Sequence, residues 1–166
     1  MSRQMPAQKR RKSKQDYQTP PEFIRAVERR FGPIWVDLAA TLGNRVVNKD
    51  FISPEENSLT TNWAFKISDS AGWLNPPFGE LTKWAEKCAD EQPRLWPRGV
   101  ILLLSPASVG ANWFERYVWG RAEVYALKGR LTFVGETSPY PKDCMLSVYR
   151  SYPQQSFDVW DWRNDA

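Results

Sequence analysis

The run Val100-Ile101-Leu102-Leu103-Leu104, bounded by Gly99 and by Ser105-Pro106, constrains the fold more than any other stretch of this chain. Consecutive apolar residues leave a strand no polar face to turn to water, so such a strand is covered on both sides, as at the centre of a parallel sheet. Parallel strands need crossover connections, and helices supply them. Leu81, Trp84, Ala85, Cys88 and Ala89 recur at helical spacing and predict a helix over about 79–91, ended by Pro93 and Pro97. Thr19, with Pro20 behind it and Glu22 three residues on, predicts a capped helix over about 20–31 whose apolar face is Phe23, Ile24, Val27 and Phe31. Ile34 to Leu38 reads as a short buried strand carrying the acid Asp37. A helix is expected over 112–119, and further strands near 122–127, 131–134 and 144–149. Residues 39–70 are rich in Asn, Ser, Thr and Asp and should be mostly irregular, with a short strand at Val46-Val47. A stretch that long in a compact domain is more often functional than idle. The expected architecture is one α/β domain over 16–166, with an open, mostly parallel sheet and an antiparallel C-terminal part.

The net charge of +4 is unevenly spread. Residues 1–16 hold six of the 23 basic side chains and one of the 19 acids, which leaves 17 basic against 18 acidic in the remainder. The excess therefore belongs to a basic N-terminal arm, 1–15, expected to be flexible and to contact a polyanion through Lys9, Arg10, Arg11, Lys12 and Lys14. The same composition also suits a purely solubilising tail. The absence of histidine excludes Ser-His-Asp and Cys-His catalysis and every His-containing metal site. Cys88 and Cys144 form no metal-binding pair and read as buried thiols of a reducing compartment. No metal is expected. No apolar run approaches a membrane span, so the expectation is a cytoplasmic protein without a membrane partner.

Asn75-Pro76-Pro77-Phe78 follows the apolar pair Trp73-Leu74 and precedes the second helix, where an α/β sheet places its ligand-facing loops. The Asn75 side-chain oxygen and the Pro76 carbonyl can accept hydrogen bonds from a planar amino group, and Phe78 offers a stacking face. The prolines stiffen the turn that presents those acceptors. A plain strand end followed by a Pro-Pro turn and a buried ring fits the same four residues.

Val36-Asp37-Leu38-Ala39-Ala40-Thr41-Leu42-Gly43-Asn44 resembles the cofactor turn of S-adenosylmethionine-dependent amino-methyltransferases, with Thr41 where that pattern usually has glycine. The series Asp16 to Pro20, Val36 to Ala40, Ser58-Leu59 with Trp63, Trp73 to Phe78, Trp84, Val100 to Pro106, Ser108 to Gly110, Trp113-Phe114 and Lys128 to Phe133 is similar to the phage-type DNA N-6-adenine methyltransferases (Dam-like family) over about residues 16–150. The resemblance implies a Rossmann-like methyltransferase fold, S-adenosylmethionine as methyl donor and DNA adenine as acceptor, reached by base flipping and direct displacement. It places Asn75, Pro76, Pro77 and Phe78 at the target base, and Tyr17, Thr19, Pro20, Asp37, Ala39, Ala40 and Asn75 around the cofactor, with the first helix's N-terminus near the cofactor carboxylate. Asn57 stands where relatives often have an acid. Asp50, Glu55 and Glu56 are candidates for a second acidic ligand, and each also reads as a solvated surface charge.

Only 38 residues separate Asp37 from Asn75, which leaves no room between them for a target-recognition domain. DNA contacts are expected from the arm, the 105–115 loop and the segment from Lys128 and Arg130 to Lys142, with a homodimer as one way to extend that surface. Lys128 and Arg130 equally read as charges flanking a hairpin turn. Two alternatives share the motifs: a methyltransferase acting on a protein glutamine amide, and a non-catalytic nucleic-acid-binding relative.

Overall fold

A computed structural model describes residues 16–166, so the arm residues Lys9, Arg10, Arg11, Lys12 and Lys14 lie outside the described residues. The elements are α1 (Pro21–Phe31), β1 (Ile34–Asp37), β2 (Asp50–Phe51), α2 (Trp63–Ile67), β3 (Ala71–Leu74), α3 (Leu81–Glu91), β4 (Val100–Pro106), α4 (Asn112–Tyr117), β5 (Glu123–Leu127), β6 (Cys144–Tyr149) and β7 (Ser156–Trp160). They form a mixed α/β body around a seven-stranded sheet in the order β2-β1-β3-β4-β6-β5-β7. β6 alone among the described strands runs against its neighbours, pairing antiparallel with β4 and β5; the other pairings are parallel.

The apolar run of β4 is buried on both faces because its residues alternate between two cores. Ile101 and Leu103 pack with Trp63 and Ile67 of α2, Ala85 and Cys88 of α3 and Phe114 of α4. Val100, Leu102 and Leu104 pack on the opposite side with Phe23 and Val27 of α1, with Leu131 and Phe133, and with Trp162 near the C-terminus. This period of two is the pleat of a strand, and burying each such side chain contributes roughly 1.5–3 kcal/mol.

Several local expectations are corrected. Thr19 does not cap α1: Pro20 occupies the cap position and no side chain bonds the helix end. Pro20 and Pro21 have no N–H, so the first turn has fewer donors to satisfy, and the Thr19 hydroxyl is engaged elsewhere. Val46-Val47 is not a strand. The Val46 N–H goes to the Asp37 carboxylate at 3.0 Å, and Asp50 and Phe51 take the places beside β1. Residues 131–134 alternate buried and exposed without joining the sheet. Their alternation comes from packing Leu131 and Phe133 into the α1-side core, while the Val134 N–H bonds the Gln18 carbonyl at 3.0 Å. α2, unanticipated within 39–70, starts where the Asn62 side chain accepts the Phe65 N–H at 3.1 Å. The buried Glu91 carboxylate accepts its Ala64 N–H at 3.2 Å and pairs with Lys87 at 2.6 Å. β7, which also has no counterpart among the expected elements, is an edge strand beside β5, and Phe157, Asp158 and Val159 are exposed.

Candidate active site

β1 lies between β2 and β3, so the chain leaves it to one side for β2 and later returns on the other side for β3. Strand order reverses there, and the loops leaving the C-terminal ends of β1 and β3 diverge around a crevice. A cleft of about 420 Å³ occupies this place. Its lining comes from the loop after β1 (Ala39, Ala40, Thr41, Asn44), from Ile52, Ser53, Pro54, Asn57, Ser58 and Leu59 of the 39–70 stretch, and from Tyr17, Asn75 and Pro77.

Local hydrogen bonds shape each wall. The Asn44 side-chain oxygen accepts the Thr41 N–H at 2.7 Å and the Thr41 hydroxyl at 3.0 Å. Asn44 therefore closes the turn at Thr41, and Gly43 does not take a positive φ. Asn57 sits in the left-handed region at φ 53, a conformation asparagine tolerates better than most residues. The Ser58 hydroxyl bonds the Leu38 carbonyl and receives the Trp63 indole N–H at 2.9 Å, tying the far wall to the end of β1. Ile52, Ser53 and Pro54 escaped motif reasoning; the signal that could have found them is the length and polarity of 39–70.

Asp37 is placed under the cleft rather than along it. Its carboxylate accepts N–H groups from Ala39 at 3.3 Å and Val46 at 3.0 Å, so it holds both ends of the loop. Burial pushes this carboxyl up from 3.8 to about 6, against the opposing pull of the Val46 and Ala39 N–H groups. With Thr19, Trp73 and Asn75 it borders a small polar cavity of about 20 Å³. Pro20 does not line the cleft, and α1 does not offer it the N–H groups of an ordinary helix start. Asp50 is paired with Lys66 at 3.2 Å, Glu56 accepts the Ser53 N–H at 3.0 Å, and neither these nor Glu55 lines the cleft.

Asn75 stands at the junction of these parts. Its amide nitrogen donates to the Tyr17 carbonyl at 2.7 Å and to the Thr19 hydroxyl at 3.1 Å. Both hydrogens are used, and among the described residues none donates to Oδ1. Pro76 behind it is buried and Pro77 lines the cleft. Phe78 lies beside the cleft, within a cluster of rings. Its centroid is 6.2 Å from Tyr17, 6.3 Å from Phe133 and 5.5 Å from Tyr140, and Tyr17 stacks on Phe133 at 4.7 Å. Phe133 and Tyr140 belong to the β5–β6 connection. Because β6 runs against its neighbours, that connection emerges at the same sheet edge as the loops after β1, β3 and β4.

The two cations expected at DNA lie on this connection, and each faces an acid. Lys128 pairs with Asp161 at 2.7 Å and Arg130 with Asp143 at 3.5 Å. Exposed pairs of this kind contribute roughly 0–1 kcal/mol, so phosphate can compete for either cation. Among the described residues no group of His, Cys, Asp and Glu could hold a metal ion, and no helix is long and apolar enough to cross a membrane.

The chain is 31% identical over 137 residues to a DNA N-6-adenine-methyltransferase of Escherichia phage T1, an alignment covering 73% of this chain and 55% of the relative. It is 30% identical over 107 residues to a DNA N-6-adenine-methyltransferase of Haemophilus phage HP1, covering 61% of this chain and 58% of the relative. The chain thus spans somewhat more than half the length of these relatives. The family model described as DNA N-6-adenine-methyltransferase (Dam) matches residues 7–154, which takes in the cleft, Asn75 to Phe78 and the aromatic connection alike. By that match across nearly all of its length, the chain belongs to the DNA N-6-adenine-methyltransferase (Dam) family.

Proposed function

We propose that this chain has a Rossmann-like methyltransferase fold and transfers a methyl group from S-adenosylmethionine to the 6-amino group of adenine in DNA. The observation that carries the reading is the Asn75 amide, whose two hydrogens are taken by Tyr17 and Thr19, leaving an acceptor oxygen beside the cleft. An exocyclic amine is a weak nucleophile because its lone pair is delocalised into the ring. The Asn75 oxygen and the Pro76 carbonyl, as acceptors, draw the amine hydrogens out of the ring plane and stabilise positive charge growing on nitrogen.

The cleft suits the donor. Its volume falls within the range of small-molecule sites. Ala39 and Ala40 allow close backbone approach, while Thr41, Asn44, Ser53 and Asn57 offer polar groups around a mainly apolar lining. When bound there, S-adenosylmethionine supplies a methyl group activated by its attachment to a positively charged sulfur. Asp37 acts from below, holding the 38–46 loop in place through two backbone N–H groups.

The 6-amino group of adenine is paired and stacked inside duplex DNA, so the base must be extruded, at a cost of a few kcal/mol. Stacking on Phe78 and hydrogen bonds to Asn75 and Pro76 offset that cost. Lys128 and Arg130 stand on the connection that carries the neighbouring rings and contact phosphate. The arm residues Lys9, Arg10, Arg11, Lys12 and Lys14 add phosphate contacts that carry no base information. Deleting residues 1–15 flattens the dependence of log affinity on log salt by about 0.9 for each phosphate the arm had neutralised, and leaves the methylated sites unchanged.

Incubation with labelled S-adenosylmethionine and either unmethylated genomic DNA or bacterial protein extract tests the reading. Label appears as N6-methyladenine in the DNA. Label in glutamine side chains of protein, or none in either, overturns it.

A further inference from the structure

The asparagine side-chain amide has nearly the same shape when its oxygen and nitrogen change places, so a site that needs the oxygen must prevent the exchange. The Tyr17 carbonyl can only accept, and at 2.7 Å it requires the nitrogen of Asn75 on its side. With one such bond the amide can still tilt about the bond axis. The second bond, to Thr19 Oγ1 at 3.1 Å, removes that freedom. Thr19 is 3% exposed, so water does not compete for its hydroxyl. Its neighbours are fixed as well: the Gln18 carbonyl accepts the Val134 N–H at 3.0 Å, and the Pro20 carbonyl accepts the first helical N–H groups of α1, from Phe23 and Ile24.

We infer that Thr19 is a positioning residue for the methyl-accepting amine: with the Tyr17 carbonyl, its hydroxyl locks the Asn75 amide so that Oδ1 is the atom presented to the amine. The inference rests on the proposed reaction and assigns Thr19 to the acceptor side of the site. It explains why a buried threonine one residue before the cap position leaves the helix end without a side-chain bond.

The test compares the full chain with Thr19→Val, which keeps the shape and loses the hydroxyl, and Thr19→Ser, which keeps the hydroxyl and loses a methyl. For Thr19→Val, kcat on DNA falls about 10-fold or more, the scale of loss that a slightly misplaced catalytic group produces. KM for DNA and calorimetric affinity for S-adenosylmethionine stay at wild-type levels, and Thr19→Ser recovers most of kcat. Independently of activity, nuclear magnetic resonance shows the Asn75 side-chain amide protons exchanging faster with water in Thr19→Val than in the other two proteins. Wild-type kcat in Thr19→Val overturns the inference while leaving the proposed reaction standing. So does equal loss in Val and Ser variants with matching falls in melting temperature, which marks a packing role. A wild-type chain that methylates no DNA overturns the reaction and this inference together.

Discussion

The two halves of the sheet bring different things to one edge. In β2-β1-β3-β4 every pairing is parallel, and reversal of strand order at β1 opens a mainly apolar cleft with the small and polar residues Ala39, Ala40, Thr41, Asn44, Ser53 and Asn57 in its lining. In β6-β5-β7 a single antiparallel strand turns the chain around, and what reaches the edge is a connection carrying Phe133, Tyr140 and two paired cations. A hollow of similar volume, about 480 Å³, lies against α4 and β7, lined by Val109, Gly110, Ala111, Phe114, Glu115, Trp119 and Phe157, where Glu115 and the Trp119 indole are the polar side chains on offer, against Thr41, Asn44, Ser53, Asn57 and Asn75 in the cleft. Volume alone does not mark a site. The half that forms a small-molecule cleft does so because parallel strands aim their loops the same way, and the antiparallel strand adds a wall of rings and charge beside it. Asn75 and Tyr17 join the two halves, since Tyr17 lines the cleft, bonds Asn75 and stacks on Phe133.

If that division of labour holds, damage to the junction has the largest effect. Asn75→Ala lowers methyl transfer by about 100-fold or more, the scale seen when one preorganised group is removed from a reacting centre. Its calorimetric affinity for S-adenosylmethionine stays close to wild type. Comparable activity in the variant breaks the comparison at its centre.

Asp37→Asn tests the cleft half through pH. The folded carboxyl is held at about 6 against 3.8 unperturbed, so between those values the native state binds the proton more tightly than the unfolded chain. Asp37 therefore contributes stability that is fully present below pH 3.8 and is lost as pH rises through about 6. The loss amounts to about 3 kcal/mol at roughly 1.4 kcal/mol per unit. Denaturant titrations from pH 4 to 7 should show this fall in the wild type and a flatter profile in Asp37→Asn. The variant also binds S-adenosylmethionine more weakly, because an amide cannot accept both backbone N–H groups through two oxygens. Identical pH profiles would show that the carboxyl ionises freely in the fold.

Phe78→Ala tests the other half. It weakens capture of an extruded base by about 1–3 kcal/mol, the worth of one base stack, with Phe78→Tyr close to wild type and cofactor affinity untouched. Equal damage from both changes assigns the ring to packing against Phe133 and Tyr140. The smallest effect on the fold belongs to Lys128→Ala and Arg130→Ala, which change stability by about 0–1 kcal/mol each because their ion pairs are exposed. Each still reduces the salt slope of DNA binding by about 0.9 if it contacts phosphate. An unchanged slope would confine these cations to their pairs with Asp161 and Asp143.

Much of this was legible in the residues themselves. The apolar run at 100–104, the helical spacing of Leu81 to Ala89 and the position of Asn75 at a strand end are local patterns, and local patterns survive in a sequence because the period of a helix or strand is a property of the backbone. The same information places acceptors and a ring together at Asn75 to Phe78. Other features have no local signature. The five residues of α2 are too few to show a period, and their helix is held by a carboxylate from α3. The alternation at 131–134 looks like a strand because packing against the α1-side core imposes the same rhythm without a partner ladder. Thr19 and Pro20 spell a helix cap, yet the hydroxyl bonds Asn75, a residue 56 positions away. Asp37 could be read as an acid at a strand end, but whether its oxygens meet a ligand or a backbone depends on where Val46 comes to rest. Sequence alone determined which chemistry the chain can offer, because that is carried by residue types and their short-range spacing. The tertiary structure decided which group holds which, because a buried donor must find an acceptor wherever the fold brings one within about 3 Å.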